Sequence, residues 1–599
     1  MHLGIATVSL SGILSDKLAA ISAAGFDGVE IFDNDLITST LSPRAVARQC
    51  ADLGLSIDLF QPIRDVVGVP PEQFGMVVHR VRRKLTVAAE LGAPTALLCS
   101  NVLPDAIDDE DLRVDQLASI AELARSFGIT LAYEALAWGR HVNRVHQTWR
   151  TVEAVNHPNL TVAVDTFHMQ SRADDASALA GIPADRIGFL QVADAPLLDM
   201  NVLEWSRHHR CFPGQGVLDV GGIVAALIRA GYDGPLSLEV FSDVVREADP
   251  AVTALDGIRS LLFLEDELAH RIVEPARVSL RRAPEAPERV DFGFVEIVGG
   301  TEYAQLLAAY GFTLAGRHRT KPVTWWRNGG ANLIVNNGQG ESAAPRASAI
   351  GVVAPPVGAV AQRALALRWP QVDRTHAPDE ALLPGICTPS GVQVFVSEPI
   401  GHVDDWHLDF DAQAGSDARG WLSIDHVAVS VAPGDMNQEL SFFRTVFGLA
   451  AGPLEEYMDP NGRVRARNFR PPTGDLRVAL LAANLGARDP VLGITQIAFA
   501  CDDLLAEVVR LRALGAEFMA VPANYYVDLD ARFDIEPELL DQLRTHGVVY
   551  DRVDYGEFLH IYSEPLPGGF VIELLERRNG YDGYGAPNTH VRLAVQGAP

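Results

Sequence analysis

The sequence predicts an eight-stranded parallel α/β barrel followed by an α+β half built from repeated βαβββ modules. Three observations carry this expectation. Short apolar, β-branched runs alternate with stretches of helical period up to about residue 270, as strands buried on both faces and covered by helices require. Four of those runs are closed by a polar residue, the end of a barrel strand at which chemistry collects. Beyond a proline-rich segment the pattern changes, and a strand-then-helix opening recurs.

Taken in order, strands are expected near residues 2–8, 27–32, 55–60, 95–99, 129–134, 160–165, 187–192 and 235–240. Eight strands fit one closed barrel. Val77 to Leu91 and Leu112 to Phe127 carry apolar residues at helical spacing, and Gly128 reads as a C-cap of the second. Residues 273–290 hold three prolines among alternating charges, with no sustained apolar period, and read as a linker. The expected division is therefore a barrel over 1–272, a linker over 273–290 and a second domain over 291–599. Strand-then-helix openings at Phe292 to Val298 with Glu302 to Tyr310, Ser423 to Ser430 with Asn437 to Phe447, and Ile494 to Ala500 with Leu504 to Leu514 suggest modules at about 291–345, 349–410, 421–482 and 493–580, the second being the least distinct.

At 599 residues the chain exceeds what one hydrophobic core organises. Its 77 acidic against 49 basic residues leave a formal charge of -28, which disfavours nucleic acid and anionic membranes and favours a small-molecule substrate. Five scattered cysteines without a Cys-x-x-Cys pair suit reduced thiols. With neither a leader-like amino terminus nor a long apolar stretch, a cytoplasmic chain is expected, and a homo-oligomer is left open.

Glu134 follows Thr-Leu-Ala-Tyr, Asp165 follows Thr-Val-Ala-Val, Gln191 follows Ile-Gly-Phe-Leu and Glu239 follows Pro-Leu-Ser-Leu. An acidic residue at a strand end is by itself usually a helix cap or a solvated loop group. Four on consecutive strands, at the end where a barrel converges, read as one metal site, because the three carboxylates repel one another without a cation. Oxygen ligands of this kind suit Mg²⁺ or Mn²⁺, with Co²⁺ a third option. His168, three residues after Asp165, is the first candidate for proton transfer, beside a reading in which it only orients the ligands. Arg64 after strand three, and Arg207 and Arg210 in the loop after strand seven, are candidates for holding a substrate carboxylate. Pro213-Gly214-Gln215-Gly216 reads as a turn that lets backbone approach the site.

Tyr-Glu-Ala-Leu-Ala-Trp-Gly-Arg-His at 133–141, Val-Asp-Thr-Phe-His at 164–168 and Ser-Arg-His-His-Arg-Cys-Phe-Pro-Gly-Gln-Gly at 206–216 resemble the xylose-isomerase-like superfamily, and within it the 3-dehydroshikimate dehydratases. The resemblance covers about the first 270 residues. It implies a metal-dependent lyase that converts 3-dehydroshikimate to protocatechuate in quinate and shikimate catabolism. Its ligand set would be Glu134, Asp165, Gln191 and Glu239, with Gln191 where many relatives have histidine. Such chemistry is self-consistent: a cation at a ketone and its neighbouring hydroxyl acidifies the α-proton, and loss of the β-hydroxyl then leads to an aromatic ring.

The remaining chain, about 290–590, resembles 4-hydroxyphenylpyruvate dioxygenase, a vicinal-oxygen-chelate protein. Ile-Asp-His-Val at 424–427, Gly-Ile-Thr-Gln-Ile-Ala-Phe at 493–499, Pro-Ala-Asn-Tyr-Tyr at 522–526 and Ile-Glu-Leu-Leu-Glu-Arg-Arg at 572–578 carry that likeness. It places metal positions at His426, Gln496 and Glu573. The family's two histidines and one carboxylate suit ferrous iron, whereas an amide at 496 shifts the set toward a second ion such as Mg²⁺ and argues against dioxygenase activity. Other readings stand beside these: a sugar or hydroxy-acid isomerase on the same barrel, and a carboxyl half that is a binding or assembly module or an active dioxygenase. A DNA-repair endonuclease, also found on this barrel type, would want more ligands and a basic face.

Overall fold

The computed structural model describes residues 1–338, 344–374, 376–413, 422–459, 462–483 and 491–596. The chain separates into two compact units, Met1–Arg282 and Ala283–Pro599. No regular secondary structure occurs between Ile272 and Val290.

In the first unit eight parallel strands close a barrel in sequence order: β1 (Leu3–Ala6), β2 (Gly28–Phe32), β3 (Ser56–Ile63), β4 (Thr95–Cys99), β5 (Thr130–Glu134), β6 (Leu160–Asp165), β7 (Ile187–Val192) and β8 (Leu236–Leu238). Closure is made by β1 pairing with β8, Leu3 opposite Leu236. Apolar side chains from successive strands pack together, including Leu59, Leu97, Ala132, Ala163 and Phe189 on β3 to β7. Helices cover the outside, and their ends follow local chemistry. The Asp109 carboxylate accepts the Leu112 N–H at the start of Glu110–Arg125. Pro71–Leu91 stops at Gly92, whose φ of 74° only glycine adopts freely.

Register aligns the strand-end residues. Cys99 lies opposite Glu134 on β4 and β5, and Asp165 opposite Gln191 on β6 and β7. Glu134 and Asp165 are the last residues of their strands, Gln191 is one residue before the end of β7, and Glu239 follows β8 directly.

The second unit repeats strand, helix and further strands. Asp291–Val298, Glu302–Ala309, Thr313–His318, Val323–Asn328 and Ala331–Asn336 form the first repeat. Arg346–Val353 and Val357–Ala366 open the second, which continues in short strands such as Gly385–Cys387 and Gln393–Ser397. Ser423–Val431 opens the third and Gly493–Ala500 the fourth, which closes on Val571–Arg578. The repeats join in one mixed sheet: Asp291–Val298 runs antiparallel to Arg346–Val353, and Ser423–Val431 antiparallel to Gly493–Ala500. Among the described residues no helix is long and apolar enough to cross a membrane.

The segment after β7 is held by one buried carboxylate. Asp194 accepts the N–H groups of Ala195 (2.8 Å), Gly214 (3.0 Å), Gly216 (3.0 Å) and Leu218 (2.9 Å). The 213–216 turn is thus wrapped around Asp194, and a Cβ at Gly216 would come 2.2 Å from an Asp194 oxygen. This departs from the expectation that the turn's backbone approaches the ligands. Asp194→Ala leaves those N–H groups buried without an acceptor, so the barrel's stability is expected to fall by about 3 kcal/mol or more. Urea unfolding of the full chain checks this, and an unchanged barrel transition would refute it.

Candidate active site

Glu134, Asp165, Gln191 and Glu239 converge at the carboxyl-terminal mouth of the barrel, all buried. Their hydrogen bonds are incomplete. Glu134 Oε2 accepts from Cys99 Sγ (3.3 Å), but Glu134 Oε1 and Gln191 Oε1 are buried with no partner. Burial pushes the Glu134 carboxyl up to about 8, with Glu239 and Asp165 adding repulsion. Burial likewise lifts Glu239 to about 7. Asp165 stays below the usual carboxylate range: burial opposes this, and the charge and hydrogen bond of Arg210 together with the contacts to His168 outweigh it. Two orphaned oxygens among mutually repelling carboxylates are what a divalent cation would satisfy, so these residues fit a metal.

The Gln191 amide is aimed by a residue absent from the sequence expectations. Gln191 Nε2 donates to Glu30 Oε2 (2.7 Å), which turns its oxygen away from that contact and leaves it free. Glu30, inside β2, also accepts from Gln61 Nε2 (2.8 Å) and Ser237 Oγ (2.5 Å). Burial, and then Glu239, push its pKa well up, against these three donors. In its own strand, Gly-Val-Glu-Ile-Phe, this glutamate looks like any strand residue. Only barrel closure shows that it faces inward.

His168 lies in a one-turn helix, Thr166–Gln170, rather than in a loop, because the Asp165 carboxylate caps that helix by accepting the His168 N–H (3.0 Å). Its Nε2 is 3.7 Å from Glu134 Oε1 and 3.8 Å from Asp165 Oδ2. With Glu134 and Asp165 it forms a group of potential metal donors whose ligand atoms all lie within 4.8 Å of one another. Burial pushes the imidazole down to about 3, so it is neutral. The Ala137 N–H donates to Nδ1 (3.2 Å), while Arg210 Nη2 lies 3.3 Å from Nε2. A neutral ring has one acceptor, so it cannot satisfy both donors.

Arg210 is buried and bridges the site: Nη1 reaches Asp165 Oδ2 (2.8 Å) and Glu239 Oε2 (3.2 Å), and the guanidinium lies 4.5 Å over the Phe167 ring. It therefore supplies positive charge to two of the expected ligands, and it also lines a cavity at this end of the barrel. It follows the helix Val202–His208, which also carries Arg207. Arg64 and the exposed Arg207 line a cavity of about 560 Å³ above the carboxylates, as do Lys17 and Arg246, which sequence reasoning missed. Trp138, also on that cavity, packs edge-on against His168 at 5.1 Å.

In the second unit His426, Gln496 and Glu573 also converge. His426 Nε2 is 3.2 Å from Glu573 Oε2, and the Gln496 amide nitrogen is 2.5 Å from that oxygen and 3.1 Å from His426 Nε2. His426 Nδ1 donates to Asp425 (2.7 Å), and His560, missed in the sequence, donates to Glu573 Oε1 (2.6 Å). Burial opposes ionisation of Glu573, yet hydrogen bonds from the two imidazoles hold it down at about 2. Glu573 is thus met by donors from His426, His560 and Gln496, and the amide presents nitrogen rather than oxygen to it.

Three stretches match known family descriptions: a xylose isomerase-like TIM barrel over residues 18–262, the N-terminal part of hydroxyphenylpyruvate dioxygenase over 286–374, and the glyoxalase/bleomycin resistance protein/dioxygenase superfamily over 423–537. The two halves are thus a xylose isomerase-like barrel and a glyoxalase-type domain. A solved "xylose isomerase-like TIM barrel/4-hydroxyphenylpyruvate dioxygenase fusion protein" superposes with a TM-score of 0.90 at 40% identity, covering 100% of this chain and 99% of that one. Proteins named 3-dehydroshikimate dehydratase from Pseudomonas putida and Pseudomonas aeruginosa are each 40% identical over 99% of this chain and 98% of their own length. The chain belongs to the 3-dehydroshikimate dehydratase family.

Glu30 tests the site without touching its mouth. Glu30→Leu removes the acceptor that orients Gln191, and affinity for added Mn²⁺ is expected to fall by roughly 10- to 100-fold, as when ligand-orienting partners are lost elsewhere. Calorimetric titration on the folded variant checks this. Unchanged affinity would remove Glu30 and Gln191 from the site.

Proposed function

We propose that the barrel half is a metal-dependent hydro-lyase that dehydrates 3-dehydroshikimate to protocatechuate. The observation supporting it most strongly is the set of buried carboxylates with orphaned oxygens beneath a cation-lined cavity, in a chain of the dehydratase family. Glu134, Asp165, Gln191 and Glu239 would hold Mg²⁺ or Mn²⁺. A bound cation supplies positive charge where the carbonyl oxygen gains electron density.

The rest is the work of side chains. The substrate loses a proton α to its ketone, the β-hydroxyl leaves as water with a proton added, and transfer of a ring proton to the former ketone oxygen makes the product aromatic. His168, neutral and beside Glu134, is the group proposed to move the first of these protons. Arg64 and Arg207 are proposed to hold the substrate carboxylate, with Lys17 and Arg246 adding to the local attraction. Arg210 holds Asp165 and Glu239 in place and shares their charge. The walls formed by Trp138 and Leu136 limit water around the ring.

For the second unit we infer a fold of the dioxygenase type without that chemistry, because an amide stands at 496 and is engaged with Glu573. A second divalent ion of the Mg²⁺ kind would be held by His426, Gln496 and Glu573 only after the amide turned its oxygen inward.

The full chain is expected to raise the ultraviolet absorbance of an aromatic product from 3-dehydroshikimate, and to lose this with a chelator. Glu134→Ala and Glu239→Ala should abolish turnover while leaving the fold intact. Near-normal activity in either, with bound metal measured, would reject the site. His168→Ala should lower kcat by roughly two to four orders of magnitude with metal still bound. A parallel loss of metal would move His168 into the ligand shell. Supplied with ferrous iron and 4-hydroxyphenylpyruvate, the chain should consume no oxygen above background, and consumption would overturn the reading of the second unit.

A further inference from the structure

The first two repeats of the second unit enclose a cavity of about 430 Å³, well away in sequence from His426, Gln496 and Glu573. That volume lies in the range of small-molecule sites. Its walls are aromatic, with Phe294, Phe395, Trp406 and Phe410 all lining it. Packing fixes these rings: Trp406 meets Phe294 edge-on at 5.1 Å and stacks on His407 at 3.8 Å.

Two side chains on this wall carry buried nitrogens with no hydrogen-bond partner among the described residues, Trp406 Nε1 and His318 Nε2. The indole is 1% exposed and the His318 side chain 5%. The backbone N–H groups of Thr320 and Lys321 each donate to His318 Nδ1 (3.2 Å), so the proton of the neutral ring sits on Nε2. Glu380, the nearest carboxylate, is 3.9 Å from that atom, beyond hydrogen-bond reach, and is engaged by Thr320, Lys321 and the Ala377 N–H. Both orphans are therefore donors. A buried donor left unpaired is destabilising, so each calls for an acceptor, and both side chains line the cavity. Arg374 lines the same space, 5.4 Å over the Phe395 ring, and makes no ion pair among the described residues. Glu296, also on the wall, takes hydrogen bonds from Asn336 (3.2 Å) and Ser348 (3.3 Å) through Oε1.

We propose that this cavity is a binding site for a single-ring aromatic carboxylic acid. The ring would pack between the aromatic walls. The carboxylate would accept from His318 Nε2 and Trp406 Nε1 and pair with Arg374. A ring hydroxyl would donate to Glu296, which favours phenolic acids within the class. The site does not depend on the activity proposed for the barrel.

The test is calorimetric titration of the full chain with 3,4-dihydroxybenzoate and, as a non-aromatic control, cyclohexanecarboxylate. The first is expected to bind at least about tenfold more tightly than the second. Trp406→Phe keeps the ring and deletes the N–H, and Arg374→Gln alters a half-exposed side chain with little risk to folding. Each should weaken 3,4-dihydroxybenzoate binding by about tenfold, with dehydratase turnover unchanged. Absence of binding, equal binding of the two acids, or binding that survives both substitutions and is lost only in Glu134→Ala would overturn the proposal. The last outcome would place the ligand in the barrel instead.

Discussion

The barrel is governed by the crowding of carboxylates in its interior. Glu30, Glu134, Asp165 and Glu239 are all buried, and bringing them together is unfavourable unless positive charge or donors meet them. The structure answers this at each level. Three side-chain donors surround Glu30. The Arg210 guanidinium spans Asp165 and Glu239. Glu134 has only the Cys99 thiol and retains an unpartnered oxygen, and its pKa is the one pushed up to about 8. Among these carboxylates Glu134 is the one with an orphaned oxygen, and it lines the cavity beside the neutral imidazole of His168.

The two units treat a buried glutamate in opposite ways. Glu134 is starved of donors, and burial dominates its titration. Glu573 is equally buried, but His426, His560 and the Gln496 amide all point at it, and it is held ionised. A carboxylate left wanting a cation is poised to bind one. A carboxylate already saturated by imidazoles and an amide gains less from an ion, since the ion must displace good hydrogen bonds. The Gln496 amide adds to this saturation, since an amide N–H donates to a carboxylate oxygen.

Much of this was legible in the chain. A polar residue terminating an apolar β-branched run is a local signal, and barrel closure brings four such residues to one end; hence Glu134, Asp165, Gln191 and Glu239 could be named together from sequence. Glu30 could not, since it sits mid-strand among apolar neighbours and its inward direction follows from closure of the barrel. Lys17 and Arg246 come from a helix after β1 and a short helix after β8, and nothing near them in sequence links them to the cavity. His168 was found by spacing, but its one-turn helix depends on the Asp165 cap, a contact that spacing alone does not reveal. The second repeat of the carboxyl half was faint because its later strands are only three and five residues long, too short for a period-two pattern to stand out.

The net charge of -28 argues against polyanionic partners, yet the proposed substrate is itself an anion. Local geometry resolves this. At physiological ionic strength charges separated by more than about 8 Å are largely screened in solvent, so a small ligand at the barrel mouth responds to the groups lining that mouth rather than to the whole surface. There Lys17, Arg64, Arg207, Arg210 and Arg246 all line the cavity, Lys17 and Arg210 as buried side chains. Lys17 is paired with Asp35 at 2.8 Å, so the unopposed charge comes mainly from the arginines. A ligand with one carboxylate would meet cations and carboxylates in the same cavity, and the cations are what offset the repulsion its charge would otherwise meet from Glu134 and Glu239.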